Sequence, residues 1–414
     1  MTKEDIINAA FRVWGRNRYK DTSLSKVAAC LKVTKPALYR HFADKQALLD
    51  AMYAQFFDHY AGFLKPVLEE ARKIESNEGL LMITRAVIDY YVRNEDYYIF
   101  SLIQVGEKTD PQYNTAEQLN RRGVPLTQIR NSVPGGTGYP SLVFLAVITV
   151  TFYIALFHRK NRGSGKPGEA KIRAFVADIE KRVRLGLGFD GEAVKALDYE
   201  RLEALSRIGA ADCDGNSGLL KGVAAAVAEA GPWNASMEMV AQRSGLSKSG
   251  LYAHFKSKQD MLSWLFTTES DQIARLMRCH TRQIPDTAER LYLAILSVAD
   301  YLRAKPEILI VLDWARIQRM DLDITVPMEI YEFFRELGMK KTRLDPSVET
   351  VAQWILFLVV KTMIRRPVGM EFADISNETF RVLYRFITSG IGGFRNGGAG
   401  LPLPEREIEK RSCV

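Results

Sequence analysis

Two stretches of the chain place hydroxyl, lysine and tyrosine side chains at one repeated spacing. In each, a hydroxyl residue is followed directly by a lysine, then by a tyrosine four positions on and a second lysine six positions later. These residues are Thr34, Lys35, Tyr39 and Lys45 in the first stretch, and Ser247, Lys248, Tyr252 and Lys258 in the second. Ammonium, hydroxyl and phenol groups donate hydrogen bonds to phosphate oxygens, and such contacts position a protein on a nucleic acid. The pattern therefore predicts contacts to a nucleic-acid backbone.

These stretches lie within a longer internal repeat. The segment SLSKVAACLKVTKPALYRHFADKQALL, which begins at Ser23, aligns without a gap with SMEMVAQRSGLSKSGLYAHFKSKQDML, which begins at Ser236, at an offset of 213 residues. The ends of the halves also match, as IEKRVRLGLGF up to Phe189 and YRFITSGIGGF up to Phe394. An offset near half the chain length indicates a tandem duplication.

Each repeat predicts a head of three helices. An amphipathic helix, from Lys3 to about Asn17 or from Gly218 to about Ala230, precedes two short helices around a tight turn. In the second head Gly245 permits a left-handed backbone at that turn. The predicted helix caps are Ser23 and Thr34 in the first repeat, and Ser236 and Ser247 in the second. This arrangement is a helix-turn-helix, whose second short helix enters the major groove of DNA.

The third helix of each head divides into a core face and an exposed face. We interpret Leu38, Phe42, Leu251 and Phe255 as the head cores. The exposed face is predicted to carry Lys35, Pro36, Ala37 and Arg40 in the first head, and Lys248, Ser249, Gly250 and Ala253 in the second. Packing is favoured over ligand binding for the matched histidines, His41 and His254. The matched tyrosines are either phosphate contacts or packing residues, and the lysines are either DNA contacts or solvated charges.

A family resemblance is carried by the strings VTKPALYRHFADKQALL and LSKSGLYAHFKSKQDML. Both resemble the signature of the TetR (tetracycline-repressor) family around its recognition helix, where a Ser/Thr-Lys-x-x-Leu-Tyr-x-His-Phe run is followed by a lysine that opens a long connecting helix. The resemblance implies two family-like units fused into a pseudo-dimer within one polypeptide. It also implies double-stranded DNA as a partner, and helical C-terminal domains that supply a dimer interface and a pocket for a small-molecule effector. The residues of that pocket are not predicted.

The two predicted heads differ in charge. The predicted DNA-binding residues are Ser23, Thr34, Lys35, Pro36, Ala37, Tyr39, Arg40, His41, Lys45, Ser236, Ser247, Lys248, Ser249, Gly250, Tyr252, His254 and Lys258. Residues 1–50 contain ten Lys and Arg against five Asp and Glu, a net charge of +5, whereas residues 217–262 contain five against three, a net charge of +2. Unequal heads are expected to bind an asymmetric or pseudo-palindromic site, because a palindrome mirrors a two-fold symmetric dimer. In the alternative interpretation, the second head keeps the fold without binding DNA.

We predict an all-α chain of six segments. They are a first head at 1–50, a regulatory and dimerisation domain at 51–190, a linker at 191–217, a second head at 218–263, a second such domain at 264–395 and a tail at 396–414. The family resemblance implies that four helices form a bundle between the halves: Ser141–Phe157, Lys171–Leu187, Val348–Ile364 and Thr379–Ile391. A membrane span is the alternative for the first of them.

We interpret an aromatic cluster as core rather than as a ligand pocket. It consists of Tyr90, Tyr91, Tyr97, Tyr98 and Phe100.

Composition narrows the function classes. A chain of 414 residues is too long for one ordinary core, and its net charge of +8 suits a polyanionic partner. Four scattered cysteines without a CxxC pair predict neither a disulfide framework nor a zinc site, and indicate a reducing, cytoplasmic location. The sequence contains no P-loop, GxSxG, HExxH or dinucleotide fingerprint, so we expect no enzyme activity, catalytic residue, metal or cofactor.

The leading hypothesis is therefore a ligand-responsive transcriptional repressor. The alternative is a scaffold or ligand-binding protein of the same fold in which one or both heads no longer bind DNA. The fused chain acts either as a monomeric pseudo-dimer or as a homodimer of fused chains, and the sequence leaves both open.

Overall fold

A computed structural model describes residues 1–16, 23–74, 77–102, 115–125, 140–163, 165–189, 197–207, 217–317, 327–339, 341–364, 371 and 374–394. Within these ranges the regular elements are helices and there is no strand. The predicted all-α class is therefore confirmed. The structure consists of two similar helical units joined through their C-terminal helices.

The first unit begins with a three-helix head and continues into a helical body. Its helices are α1 (Lys3–Arg16), α2 (Leu24–Leu31), α3 (Lys35–Tyr39), α4 (Lys45–Ala71), α5 (Asn77–Arg93), α6 (Glu95–Phe100), α7 (Thr115–Arg121), α8 (Leu142–Asn161) and α9 (Glu169–Leu185). Helix α1 packs against α2, α4 and α6, so the head is seated on the body. Its core is built from buried apolar side chains at helical spacing, among them Phe11, Val27, Leu38 and Leu48.

The second unit repeats this order from α11 onwards, after one additional helix, α10. Its helices are α10 (Tyr199–Leu205), α11 (Ser217–Asn234), α12 (Met237–Arg243), α13 (Lys248–His254), α14 (Lys258–Thr281), α15 (Thr287–Ala304), α16 (Glu307–Ile317), α17 (Met328–Glu336), α18 (Val348–Ile364) and α19 (Asn377–Ser389). Helix α11 packs against α12 and α16, as α1 packs against α2 and α6. Its regular part ends at Gly231, where a positive φ of 73° kinks the chain.

One long helix joins each head to its body. Helix α4 has 27 residues and helix α14 has 24, and each continues from the head into the body as one helix, with Pro66 near the end of α4. The two helices begin alike, because Asp44 accepts a hydrogen bond from the amide of Ala47 and Ser257 accepts one from the amide of Asp260. A rigid connection of this kind makes the orientation of each head depend on the packing of its body.

The two units meet through α8 and α9 of the first and α18 and α19 of the second. The two halves thus pack together within the chain through the helices predicted to join them. At its edge the amide of Leu187 donates to the carbonyl of Ile387 at 2.8 Å, and the amide of Gly188 donates to that of Thr388 at 3.0 Å. Backbones approach this closely because Gly186 and Gly390 follow the ends of α9 and α19, and a Cβ on either would lie within 2.6 Å of the other unit's backbone.

Helix α8 is the segment for which a membrane span was the alternative. In the described part of the chain it is the one helix long and apolar enough to cross a bilayer, by length and composition. Of the 18 consecutive residues of α8 that are most apolar, 61% are buried inside the protein. The helix packs against α5, α9 and α18. The burial accounts for its apolar composition without a membrane.

The segment predicted as a linker contains a folded part. Helix α10 packs against α15, and its Leu202 is fully buried. The small polar run GAADCDGNSG lies outside the described residues apart from its last two positions. The predicted C-terminal tail, 396–414, also lies outside them.

Candidate nucleic-acid interface

The first head forms the predicted helix-turn-helix from α2 and α3. Ser23 caps α2, because its hydroxyl accepts a hydrogen bond from the amide of Lys26 at 3.3 Å. The turn places Lys32 in the left-handed region with a φ of 55°, and the amide of Val33 bonds back to the carbonyl of Ala28 at 3.0 Å. Thr34 lies at the start of α3, but its side chain makes no capping bond, contrary to the prediction.

The second head builds the same turn from different residues. Ser236 caps α12 through the amide of Met239 at 3.3 Å, and Gly245 takes the left-handed position with a φ of 70°. Here the predicted cap of the third helix is present, because the hydroxyl of Ser247 accepts from the amide of Gly250 at 2.9 Å. The two heads therefore share one backbone design, although Lys32 stands where the second head has the glycine that this conformation favours.

Most of the predicted groove-facing residues are exposed. In the first head Lys35, Pro36, Tyr39 and Arg40 are exposed, and in the second Lys248, Ser249, Tyr252 and Ala253 are. Both matched tyrosines show 46% of their surface to solvent, which suits an amphipathic contact to a phosphate.

One residue of the predicted exposed face is buried. Ala37 is only 9% exposed, and it lies in the short helix α3, which packs against α2. Its counterpart Gly250 is half-buried. We therefore correct the prediction that Ala37 faces the DNA groove.

The predicted core residues differ between the heads. Leu38, Phe42 and Leu251 are buried as expected, but Phe255 is half-buried and packs against the exposed Trp264, with ring centroids 5.3 Å apart. The matched histidines also diverge: His41 is half-buried and His254 is exposed.

The lysine and arginine side chains have different partners in the two heads. In the described part of the chain no carboxylate lies within ion-pairing distance of Lys35 or Arg40, and the ammonium of Lys35 lies 5.6 Å from the ring centre of Tyr39. In the second head the ammonium of Lys248 lies 3.3 Å from a carboxylate oxygen of Glu238. The recognition helix of the first head therefore presents the less compensated positive charge.

Lys258 is directed into the protein. Its ammonium donates to the carbonyl of Ala235 at 2.9 Å and lies 4.7 Å from the ring centre of the buried Trp314. Lys258 opens α14, Ala235 lies between α11 and α12, and Trp314 lies in α16. The hydrogen bond to Ala235 and the cation–π contact with Trp314 therefore connect these helices. Lys258 thereby stabilises the packing of the second head against its body. A phosphate that contacts the ammonium of Lys258 must share it with the carbonyl of Ala235 and the ring of Trp314.

The second head encloses an open groove where several predicted residues meet. The groove is lined by Ala235, Ser236, Met237, Glu238, Lys248, Tyr252, Lys256, Ser257 and Lys258. Four of these, Ser236, Lys248, Tyr252 and Lys258, were predicted DNA-binding residues. Lys256 was missed, because the prediction covered the third helix and the lysine that opens the next helix, and Lys256 lies in the turn between them. The groove concentrates hydroxyl and ammonium donors at the start of the connecting helix, as a phosphate contact requires.

Among the residues that the structure describes, no group of three or more His, Cys, Asp or Glu side chains is placed to hold a metal ion.

A comparison with protein families gives the match that the geometry leads one to expect. The model for the family described as bacterial regulatory proteins, tetR family, matches residues 6–52 and, a second time, residues 219–263. Each match covers one helix-turn-helix head and the first turn of the helix that follows it.

Proposed function

We propose that this tandem TetR-family regulator, with one DNA-binding head at the start of each unit, is a ligand-responsive cytoplasmic repressor that binds an asymmetric or pseudo-palindromic operator. The observation that carries the proposal is the difference between the exposed faces of α3 and α13. Arg40 in the first head is matched by Ala253 in the second, and Pro36 is matched by Ser249. Different side chains at the base edges select different half-sites.

Release from DNA would follow from the rigid connection of each head to its body. Two recognition helices that bind one face of the duplex need half-sites about 34–36 Å apart, or a multiple of that distance. Helices α4 and α14 carry any rearrangement of the bodies to the heads. An effector that favours another spacing weakens DNA binding by the difference in its affinity for the two states.

A second candidate is a chain in which the first head supplies most of the DNA affinity. The ion pair between Lys248 and Glu238 and the internal bonds of Lys258 favour it, because both reduce the positive charge that the second head offers to phosphates. In the extreme case the second head keeps only its structural role, and the operator is a single half-site.

Selection of bound sites from random duplex DNA tests these alternatives. We expect the whole chain to select two different half-sites at a fixed spacing. In a matched variant, Pro36→Ser and Arg40→Ala together give the first head the exposed groove-facing residues of the second. The selected site of this variant should become more symmetric.

Three outcomes would contradict parts of the proposal. Perfect palindromes selected by the unaltered chain would contradict the asymmetric operator. A single selected half-site that survives Lys248→Ala would favour the one-head candidate. A chain that enriches no sequence and binds no duplex at low salt would be a scaffold rather than a regulator.

A further inference from the structure

The first helix of the helix-turn-helix, α2 in one head and α12 in the other, differs in the charge of its first turn. At the repeat offset, Ser25 in α2 corresponds to Glu238 in α12, while Lys35 and Lys248 are identical. Both Ser25 and Glu238 are exposed, so neither is required by a core. The chain thus carries the same lysine twice, but the position matched to the carboxylate that pairs with Lys248 holds a neutral serine in the first head.

Glu238 occupies the groove that holds the phosphate donors of the second head. Its Oε1 lies 3.3 Å from the Nζ of Lys248, and it lines the groove together with Tyr252, Lys256 and Lys258. The first helix of a helix-turn-helix crosses the DNA backbone, so a side chain in its first turn lies beside the phosphates. A phosphate that approaches Lys248 must approach this carboxylate as well.

We propose that Glu238 is a specificity-determining residue that weakens the attraction of the second head for the DNA backbone. The inference rests on the proposed function, since it concerns how that DNA is bound. The ion pair is exposed, with 57% and 68% of the two side chains accessible, so it stabilises the fold little and exchanges readily. Its effect is on binding: Lys248 enters the complex already neutralised and releases fewer counterions from the DNA.

A second pair in the same head supports this account. Arg243 in α12 bonds to Glu229 in α11 at 2.5 Å, and the corresponding residues of the first repeat are Cys30 and Arg16. Two of the five basic residues between 217 and 262 are therefore held by carboxylates within the head itself. A head with little backbone attraction depends on base contacts, so its contribution is large only on a matching half-site.

Titration of the full chain with a duplex of unrelated sequence, over a series of salt concentrations, tests the proposal. Glu238→Gln should raise the affinity about three- to tenfold at low salt and steepen the slope of log K against log salt by about one. Ser25→Glu is the matched control in the first head and should change both quantities in the opposite direction. Lys248→Gln should cost more affinity in the Glu238→Gln background than in the unaltered chain.

The outcomes separate this inference from the proposed function. If the unaltered chain binds the duplex and Glu238→Gln leaves affinity and salt slope unchanged, the inference is wrong and the proposed function stands. A lower affinity for Glu238→Gln also overturns it, because Glu238 would then make a favourable contact to the DNA. If neither the unaltered chain nor Glu238→Gln binds any duplex at low salt, both fail. Thermal unfolding should be equal in both proteins, since Glu238 is exposed.

Discussion

At the scale of single residues, the matched turns of the two heads offer an internal comparison. Among the described residues, Lys32 is the one non-glycine residue with a positive φ, and its counterpart Gly245 has the same conformation. A side chain in this region costs about 1–2 kcal/mol, of which glycine recovers only part because its unfolded state is more flexible. We predict that Lys32→Gly raises the free energy of unfolding by about 0.5–1 kcal/mol.

Chemical denaturation followed by circular dichroism checks this prediction. Gly245→Lys is the reciprocal change and should lower the free energy of unfolding by a similar amount. Equal stability of both variants and the unaltered chain would mean that the turn is relaxed in both heads.

A second residue links stability to pH. The Nε2 of His158 in α8 bonds to the carbonyl of Tyr91 at 3.0 Å. Burial lowers the pKa of His158 below its ordinary value of 6.5, although this backbone bond and the nearby Glu95 and Asp96 act in the opposite direction. The folded protein therefore holds the neutral imidazole, and the stabilisation is complete above pH 6.5 and is lost as the pH falls towards the lowered value.

We predict that the free energy of unfolding decreases below pH 6.5 by at most about 1.4 kcal/mol per pH unit on account of this group. Denaturation curves across that range measure the decrease. In His158→Gln the pH dependence should become shallower, and an unchanged profile would assign the titration to other groups.

At the scale of elements, the sequence predicts what periodicity and local caps determine. Helix α18 lies at Val348–Ile364, as the apolar spacing indicated, and the Ser23, Ser236 and Ser247 caps form as predicted. Interactions between elements were less accessible. The burial of Ala37 and the bond from Lys258 to Ala235 depend on how helices pack, and neither leaves a signal in local spacing.

The folded part of the linker is another such interaction. Glu203 of α10 accepts hydrogen bonds from the hydroxyl of Tyr292 at 2.8 Å and from the Nε of Arg381 at 2.7 Å. Burial raises the pKa of Glu203, but hydrogen bonds from Arg381, Tyr292 and Asn377 and the charge of Arg381 together hold the pKa below the ordinary value. A charged, hydrogen-bonded carboxylate therefore attaches this helix to α15 and α19.

We predict that Glu203→Ala detaches α10, because it leaves the buried hydroxyl of Tyr292 without its acceptor and removes one of the two carboxylates of Arg381, a loss of about 1–3 kcal/mol. Hydrogen exchange should rise selectively over residues 197–207. The exposed Glu200 of the same helix provides the control, since Glu200→Ala should leave exchange there nearly unchanged. Uniform protection in both variants would show that the other contacts of the helix, such as the buried Leu202 and the bond from Ser206 to Asp300, hold it without Glu203.

At the scale of the whole molecule, the contact between the units is not symmetric. Arg182 of α9 pairs with Asp345, which precedes α18, and both are buried, with 8% and 0% of their side chains exposed. The hydroxyl of Tyr153 donates to the same carboxylate at 2.7 Å, and the guanidinium of Arg182 lies over the ring of Trp354. When α9 and α19 are aligned on Gly186 and Gly390, which follow them, the second unit has Phe386 where the first has Arg182.

This asymmetry favours pairing between unlike units. Two first units facing each other would bury two copies of Arg182 without Asp345, and two second units would bury two copies of Asp345 without Arg182. An uncompensated buried charge costs several kcal/mol, whereas the native pairing satisfies both. The ion pair therefore acts against pairing of like units between two chains. The covalent connection favours the unlike pairing within one chain, and we expect the fused chain to close its four-helix interface on itself.

We predict that Asp345→Ala lowers the free energy of unfolding by about 3–5 kcal/mol, because it leaves Arg182 buried without a counter-charge. Arg182→Met combined with Asp345→Leu should recover much of that loss, since an apolar pair of similar volume can replace a buried ion pair. Light scattering should give one chain for the unaltered protein and a mixture of single chains and dimers for the double variant, in which the charge penalty against pairing of like units is removed.

If the double variant stays a single chain, the covalent fusion alone enforces the pairing and the ion pair contributes only stability. If the unaltered protein is already a dimer, unlike units pair between chains with the ion pair kept, and each assembly then carries four heads rather than two.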